Sequence, residues 1–349
     1  FRGGINIHKL LAGKLSLYDI QLHQPMVNLV VVDSINSNFN ILPPSEPEIE
    51  PDTATTQLPI IEIDHFAIID AKPIKFFSLA DSIDVALQLN TTYLDGTNNP
   101  QYTLDINGNI ATPLLGLINL KDMPFILNGG IKWNQASPAI VELNAFNAGV
   151  DIFNAHIDGR FDLGDEMTIN ELNVALDPIK YSDIKTRVPQ EYASLCKDIY
   201  SDAAITFETQ LTKPYNLSTD TIPWAEIKID VPQCKFKYGD LNVDKFKAKV
   251  NASLKGENLN NAIVDIAYVS LNGMGINCNL STTASSLISD PLAKGKFSGM
   301  VSLEKLPPFI KKMVDGKLSG KVNANTEFLI IVNEMLFVKK FKIFGKIII

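Results

Sequence analysis

The side chains able to do acid–base, metal or nucleophilic chemistry are few and scattered. Four histidines occur in 349 residues: His8, His23, His65 and His156. None stands at an H-x3-H, H-E-x-x-H or mixed Cys/His spacing, so no metal-ligand signature is present. His65 and His156 fall in strand-like runs, where a satisfied polar side chain on a sheet surface is the simplest role. The three cysteines, Cys196, Cys234 and Cys278, form no C-x-x-C pair and cannot all be paired within the chain. A disulfide framework is therefore excluded. Cys278 alternates with Ile276 and Leu280 and reads as an inert buried thiol. Asp158, Asp162, Asp165 and Glu166 cluster at a Gly-rich turn that could bind Ca2+, although a solvated turn is the better reading. There is no G-x-S-x-G elbow, no G-x-x-x-x-G-K-[ST] and no G-x-G-x-x-G. These residues predict a protein that is not an enzyme and that takes no cofactor or metal.

What remains is apolar chemistry, and it is concentrated in residues 225–255. Ile227, Ile229 and Val231 alternate with Glu226, Lys228 and Asp230. After a turn near Gly239, Phe246, Ala248, Val250, Ala252 and Leu254 alternate with Lys245, Lys247, Lys249, Asn251 and Ser253. A period of two places successive side chains on opposite faces of a strand, one apolar and one wet. The second run covers about ten residues, roughly 33 Å, against a usual strand of about five or six. Ile227, Ile229, Val231, Phe246, Ala248, Val250 and Leu254 are the candidate wall of an apolar groove. The lysine side is the solvated outer face.

The elements around this pair repeat its pattern. Alternating or extended runs recur at 14–33, 59–90, 102–110, 125–133, 139–146, 150–163, 204–211 and 236–243, and again from 262 to the end. Helical spacing is confined to 189–202, 308–315 and, weakly, 113–119. Residues 43–59 are rich in Pro, Glu and Thr and read as a mobile surface loop. The predicted fold is mainly β: a large curved antiparallel sheet with an apolar groove and a few short helices. A first unit over 1–110 and a continued sheet over 111–349 are expected, possible also as one elongated domain. With so little helix to cover so much sheet, the apolar face is expected to stay partly open. An acyl chain gains about 0.8 kcal/mol per CH2 buried, so such a wall holds lipid without a specific polar site.

Composition limits the partners. The chain is 46% hydrophobic and 20% charged, enough to bury a core, and its net charge is −8. A nucleic-acid binder needs clustered Lys and Arg in excess, so nucleic acid is excluded as a partner. No run approaches the ~18 to 20 apolar residues that cross a bilayer. The chain opens at Phe1 without a leader and reads as a segment of a longer protein.

Order in the first eighty residues carries a family likeness. Gly4-Ile5-Asn6-Ile7, Leu10-Leu11 and Gly13-Lys14-Leu15 precede an I-x-L-x-x-P-x-V-x-L run made by Ile20, Leu22, Pro25, Val27 and Leu29. Ser37-Asn38-Phe39-Asn40-Ile41-Leu42 closes the unit, and Phe76-Phe77-Ser78-Leu79-Ala80-Asp81 follows the Pro/acidic loop. In this order the stretch resembles the AsmA-like family of bacterial envelope proteins, a superfamily that includes TamB-type proteins. The later chain is similar only in style. The resemblance implies a periplasmic body tethered to the inner membrane by an anchor outside this chain. It also implies a phospholipid partner, and a role in phospholipid transfer or in maintaining the outer membrane.

Two other readings compete. A structural module would dock envelope partner proteins through exposed strand edges. A carbohydrate-active or carbohydrate-binding β protein would show aligned surface aromatics and a carboxylate pair. With 2 Trp and 8% aromatics it ranks last.

Overall fold

The computed structural model describes residues 1–33, 36–38, 61–79, 83–110, 123–135, 139–164, 166–188, 190–239, 241–289, 291–307, 319–332 and 338–348. The protein is 70% strand and 8% helix, and its strands belong to one large mixed, mostly antiparallel sheet that does not close on itself. The chain divides into two compact units, Phe1–Asp158 and Gly159–Ile349. Residues 111–122, where the sequence reading changes unit, lie outside the described residues, as do the loop at 43–59 and the helices expected at 113–119 and 308–315.

Unit 1 starts with β1 (Arg2–Ile5), helix α1 (Ile7–Leu11), β2 (Leu15–His23) and β3 (Asn28–Val31), followed by β4 (Ile61–Ile63), β5 (His65–Ile69) and β6 (Ile74–Ser78). Then come β7 (Ile83–Asn98), β8 (Gln101–Ile110), β9 (Met123–Asn134), β10 (Ile140–Val150) and β11 (Phe153–Asp162), the last of which runs past the division. Among the described residues three pairings are parallel: β2 with β4, β2 with β5 and β3 with β6. The 16-residue β7 is long enough to pair antiparallel with both β5 and β6 before β8, β9 and β10 add in meander order. The five-residue α1 has no helical periodicity to announce it. It is capped by Asn6, whose side chain accepts the Lys9 N–H at 3.2 Å, as an N-cap requires. Glu62 on β4 then receives Lys9 Nζ at 2.9 Å and Lys14 Nζ at 3.3 Å, which ties the helix to the sheet.

Unit 2 contains β12 (Thr168–Lys180), α2 (Tyr181–Arg187), α3 (Gln190–Cys196), β13 (Ile199–Ser201), β14 (Ala204–Leu211), β15 (Tyr215–Asn216), β16 (Trp224–Tyr238) and β17 (Leu241–Lys255). It continues with β18 (Ile263–Gly273), β19 (Ile276–Ser285), β20 (Leu292–Ser302), β21 (Lys321–Val332) and β22 (Val338–Ile348). From β16 to β22 each strand pairs antiparallel with the next. The β18–β19 hairpin shows why the connections are short. Met274 and Gly275 sit at φ +53° and +77°, the left-handed pair of a two-residue turn whose twist matches the strands it joins. The helix expected over 189–202 is corrected: α3 ends at Cys196, and residues 199–201 are strand. Ile199, Tyr200 and Ser201 pair with Tyr238, Lys237 and Phe236 of β16, and that tertiary pairing overrides the helical spacing. No helix among the described residues is long and apolar enough to cross a membrane; strands are a separate matter.

Candidate functional site

Register decides which apolar side chains share a face. On β16 and β17, Ala225 stands opposite Leu254, Ile227 opposite Ala252, Ile229 opposite Val250 and Val231 opposite Ala248. A bulge then absorbs one residue of β16, so that Cys234 falls opposite Phe246. All seven wall residues named from sequence therefore project from one face. The same register carries their rows far beyond this pair. One row runs Leu176, Phe207, Ile229, Val250, Ile266, Thr282, Gly295, Phe328 from β12 to β21. Another runs Val231, Ala248, Val269, Leu280, Phe297, Thr326 from β16 to β21. Two bulges, around Ala267 of β18 and Cys234 of β16, keep the rows in step where the strands would otherwise slip by one and turn their apolar set to the other side.

Phe207, Ile266, Leu280, Phe297 and Phe328 are thus face residues that sequence reasoning did not assign to the wall. The signal was present as alternation in each strand. What was missing is which strands neighbour one another and in what register.

Cover over this face is uneven. Among the described residues the buried apolar ones of unit 2 are Ala225 and Ala262 toward one end of the strands and Cys234, Val243 and Leu306 toward the other. Between them Ile227, Ile229, Val231, Phe246, Ala248, Val250 and Leu254 are half-buried, as are Phe207, Ile266, Leu280, Phe297 and Phe328. Same-face neighbours on adjoining strands stand about 5 Å apart and supply that degree of shading by themselves. A second layer packed on the face would remove these side chains from solvent altogether. Burial in the β20–β21 pair follows the alternation, with Lys294, Lys296, Ser298, Asn325 and Glu327 exposed and the face residues between them shielded.

Two rings on this face lie flat instead of standing up from it. A Cβ added to Gly295 would collide with the Phe328 ring and with the Ser281 carbonyl oxygen. One added to Gly299 would come within 3.1 Å of Phe297 Cζ and 3.0 Å of Cys278 Cβ. The glycines leave room for each ring to fold onto the backbone, which keeps this part of the face low. A depression of about 710 Å3 near Gly295 is lined largely by residues of the opposite face, Asp265, Thr283, Lys294, Lys296, Glu327 and Phe344.

The opposite face is polar and cross-linked. Lys228 lies 3.9 Å from Glu208, and Lys296 lies 3.2 Å from Glu327. Ser253 Oγ donates to Glu226 at 2.8 Å, and Thr283 Oγ1 donates to Asp265 at 3.0 Å. Exposed pairs of this kind add little stability but keep the face wet. Burial pushes the Cys234 and Cys278 thiols up from their ordinary range, which disfavours the nucleophilic thiolate.

The turn carboxylates do not converge. Asp158 accepts the Ala145 N–H at 2.8 Å, Asp162 accepts the Gly164 N–H at 3.0 Å, and Glu166 accepts from the Asn216 amide at 2.9 Å. Asp165 lies outside the described residues. Among those described, no group of three or more His, Cys, Asp and Glu stands close enough to hold a metal ion. Comparison of the chain with protein-family models, curated proteins and solved structures found no match.

Proposed function

We propose that unit 2 holds lipid acyl chains along its apolar face, and that the protein thereby supports phospholipid transfer or outer-membrane upkeep without catalysing a reaction. The observation that carries this reading is the row from Leu176 to Phe328: eight strands wide, aliphatic or aromatic at most positions, and only half-buried. Soluble proteins rarely leave so long an apolar surface without an occupant. Acyl chains fit because burial of each CH2 contributes about 0.8 kcal/mol wherever it lands on a continuous wall. The N-terminal resemblance to AsmA-like proteins supports the same reading. It adds a periplasmic setting, with the tether to the inner membrane supplied by sequence outside this chain.

Native mass spectrometry of protein purified from cells tests the proposal directly, with phospholipid adducts as the expected result. The companion variant is Val250→Lys, at the centre of the face, with Lys249→Ala as its neighbour on the other side. Loss of adducts from the first and their retention in the second supports the reading. Adduct-free wild-type protein, together with no binding of a fluorescent acyl probe, would rule it out.

Docking of a partner protein through a strand edge is the second reading. Its motivating observation is β22, which among the described residues pairs on one side only, with β21. The sequence places lysines at 339, 340, 342 and 346 on that strand, a common guard against edge-to-edge pairing. Lipid binding is therefore the reading we favour.

A further inference from the structure

Unit 1 carries a depression of about 520 Å3 whose lining joins asparagine side chains to Pro124, Phe125, Ile126 and Phe153. Asn107, Asn109, Asn128, Asn147, Asn154 and His156 contribute to it from four successive strands, β8 to β11. Register brings them together: Asn107 and Asn109 stand opposite Ile126 and Pro124, while Asn128 stands opposite Asn147 and Ile126 opposite Gly149. Three of these side chains form a row. Asn147 Nδ2 donates to Asn128 Oδ1 at 2.9 Å, and Asn147 Oδ1 is hydrogen-bonded to His156 Nδ1 at 2.5 Å. Gly149 lets the Ile126 and Asn154 side chains close over the backbone, where an added Cβ would lie 2.8 Å from Ile126 Cγ2 and 3.0 Å from Asn154 Oδ1. The ring of Phe153, half exposed at 50%, completes the lining.

The chemistry of this lining selects a ligand class. No lysine or arginine is among the described residues that form it, so a phosphate or sulfate finds no counter-charge. Asp151 is the one carboxylate there, too little for a hard cation that takes six or more oxygens. Each primary amide has two N–H donors and an acceptor oxygen with two lone pairs, so one bond to a neighbour does not exhaust it. Vicinal hydroxyl groups donate and accept in the same alternating manner, and the C–H face of a sugar ring packs on an aromatic ring. We infer that this depression binds a neutral saccharide unit. The inference does not rest on the lipid reading of unit 2. It runs against the last rank that the scarcity of aromatics gave a carbohydrate-binding protein, because asparagine side chains gathered by register stand here in place of an aromatic row.

Side-chain amide NMR on the full chain tests it, with N,N′-diacetylchitobiose and maltose as free saccharides, octyl glucoside as a saccharide on an alkyl chain, and inorganic phosphate as the anion. Saturable shifts of the Asn128 and Asn147 amide signals are expected, with a dissociation constant on the order of 1 mM for so open a site. Asn147→Ala and Asn109→Ala, on different strands, should each weaken binding by about tenfold with the fold unchanged by circular dichroism. Shifts from both sugar forms support a free saccharide as ligand; shifts from the glycoside alone support a glycolipid headgroup. No saturable shift from any sugar, shifts from phosphate instead, or unaltered binding in both variants overturns the assignment.

Discussion

Glu62 is a residue whose chemistry is altered by its surroundings. Its carboxyl is held below the usual carboxylate range, chiefly by the hydrogen bond from Lys9 and then by Lys14, against an opposing contribution from burial. A carboxylate with a depressed folded pKa contributes stability that is fully present above the unfolded value, about 4.3, and lost as pH falls through the folded one. Denaturant unfolding followed from pH 7 down through that range should therefore show a steeper loss in the wild type than in Glu62→Gln. Equal slopes would mean that the ion pairs around α1 contribute nothing. Gly295 and Gly299 give a second test at this scale. Gly295→Ala meets a backbone carbonyl that cannot yield, whereas Gly299→Ala meets two side chains at about the limit of ordinary contact. Overpacking of this kind costs about 1–3 kcal/mol, and the Gly295 variant should be the less stable of the two by urea denaturation. The reverse order would show that Phe328 does not lie on Gly295.

The β16–β17 pair is where the consequences of alternation can be measured. Ile229→Lys or Val250→Lys puts a charge on the apolar face and should weaken binding of a fluorescent acyl probe by about tenfold while costing about 1–3 kcal/mol of stability. Lys228→Ala and Lys249→Ala lie on the wet face, and each should stay within about 0.5 kcal/mol of wild type with probe binding unchanged. Equal effects from the two faces would refute the assignment of sides. At this scale the sequence is informative for strands and poor for helices. The strands on either side of Gly239 alternate as the sequence indicates, but the run 236–243 read as one strand is divided there between β16 and β17. Helix α1 is five residues long, too short to display a periodicity, although Asn6 is a residue type that favours the N-cap. Helix α2, Tyr181–Arg187, was likewise missed, and 199–201 became strand through pairing with β16.

For the protein as a whole, an apolar face left half-buried makes stability depend on what occupies it. A ligand that binds only the folded state adds RT ln(1 + [L]/Kd), about 2.7 kcal/mol at a hundredfold excess over Kd. Titration with a short-chain phosphatidylcholine below its micellar concentration should raise the unfolding temperature progressively in the wild type and leave Val250→Lys nearly unmoved. A wild-type transition that ignores lipid would remove the thermodynamic basis for a lipid-holding face. Local sequence determined a good deal here: a mainly β chain, and which residues of β16, and which of β17, lie on the same side of their own strand. These follow from a period of two, which each strand carries within itself. The tertiary structure decided the rest. Rows reaching from Leu176 to Phe328, the parallel partners of β2 and β3, and the meeting of Asn107, Asn128, Asn147 and His156 all depend on neighbours tens of residues away. Their register is set by bulges and turn geometry. Whether a face is covered depends on everything that packs against it, and no single strand contains that information.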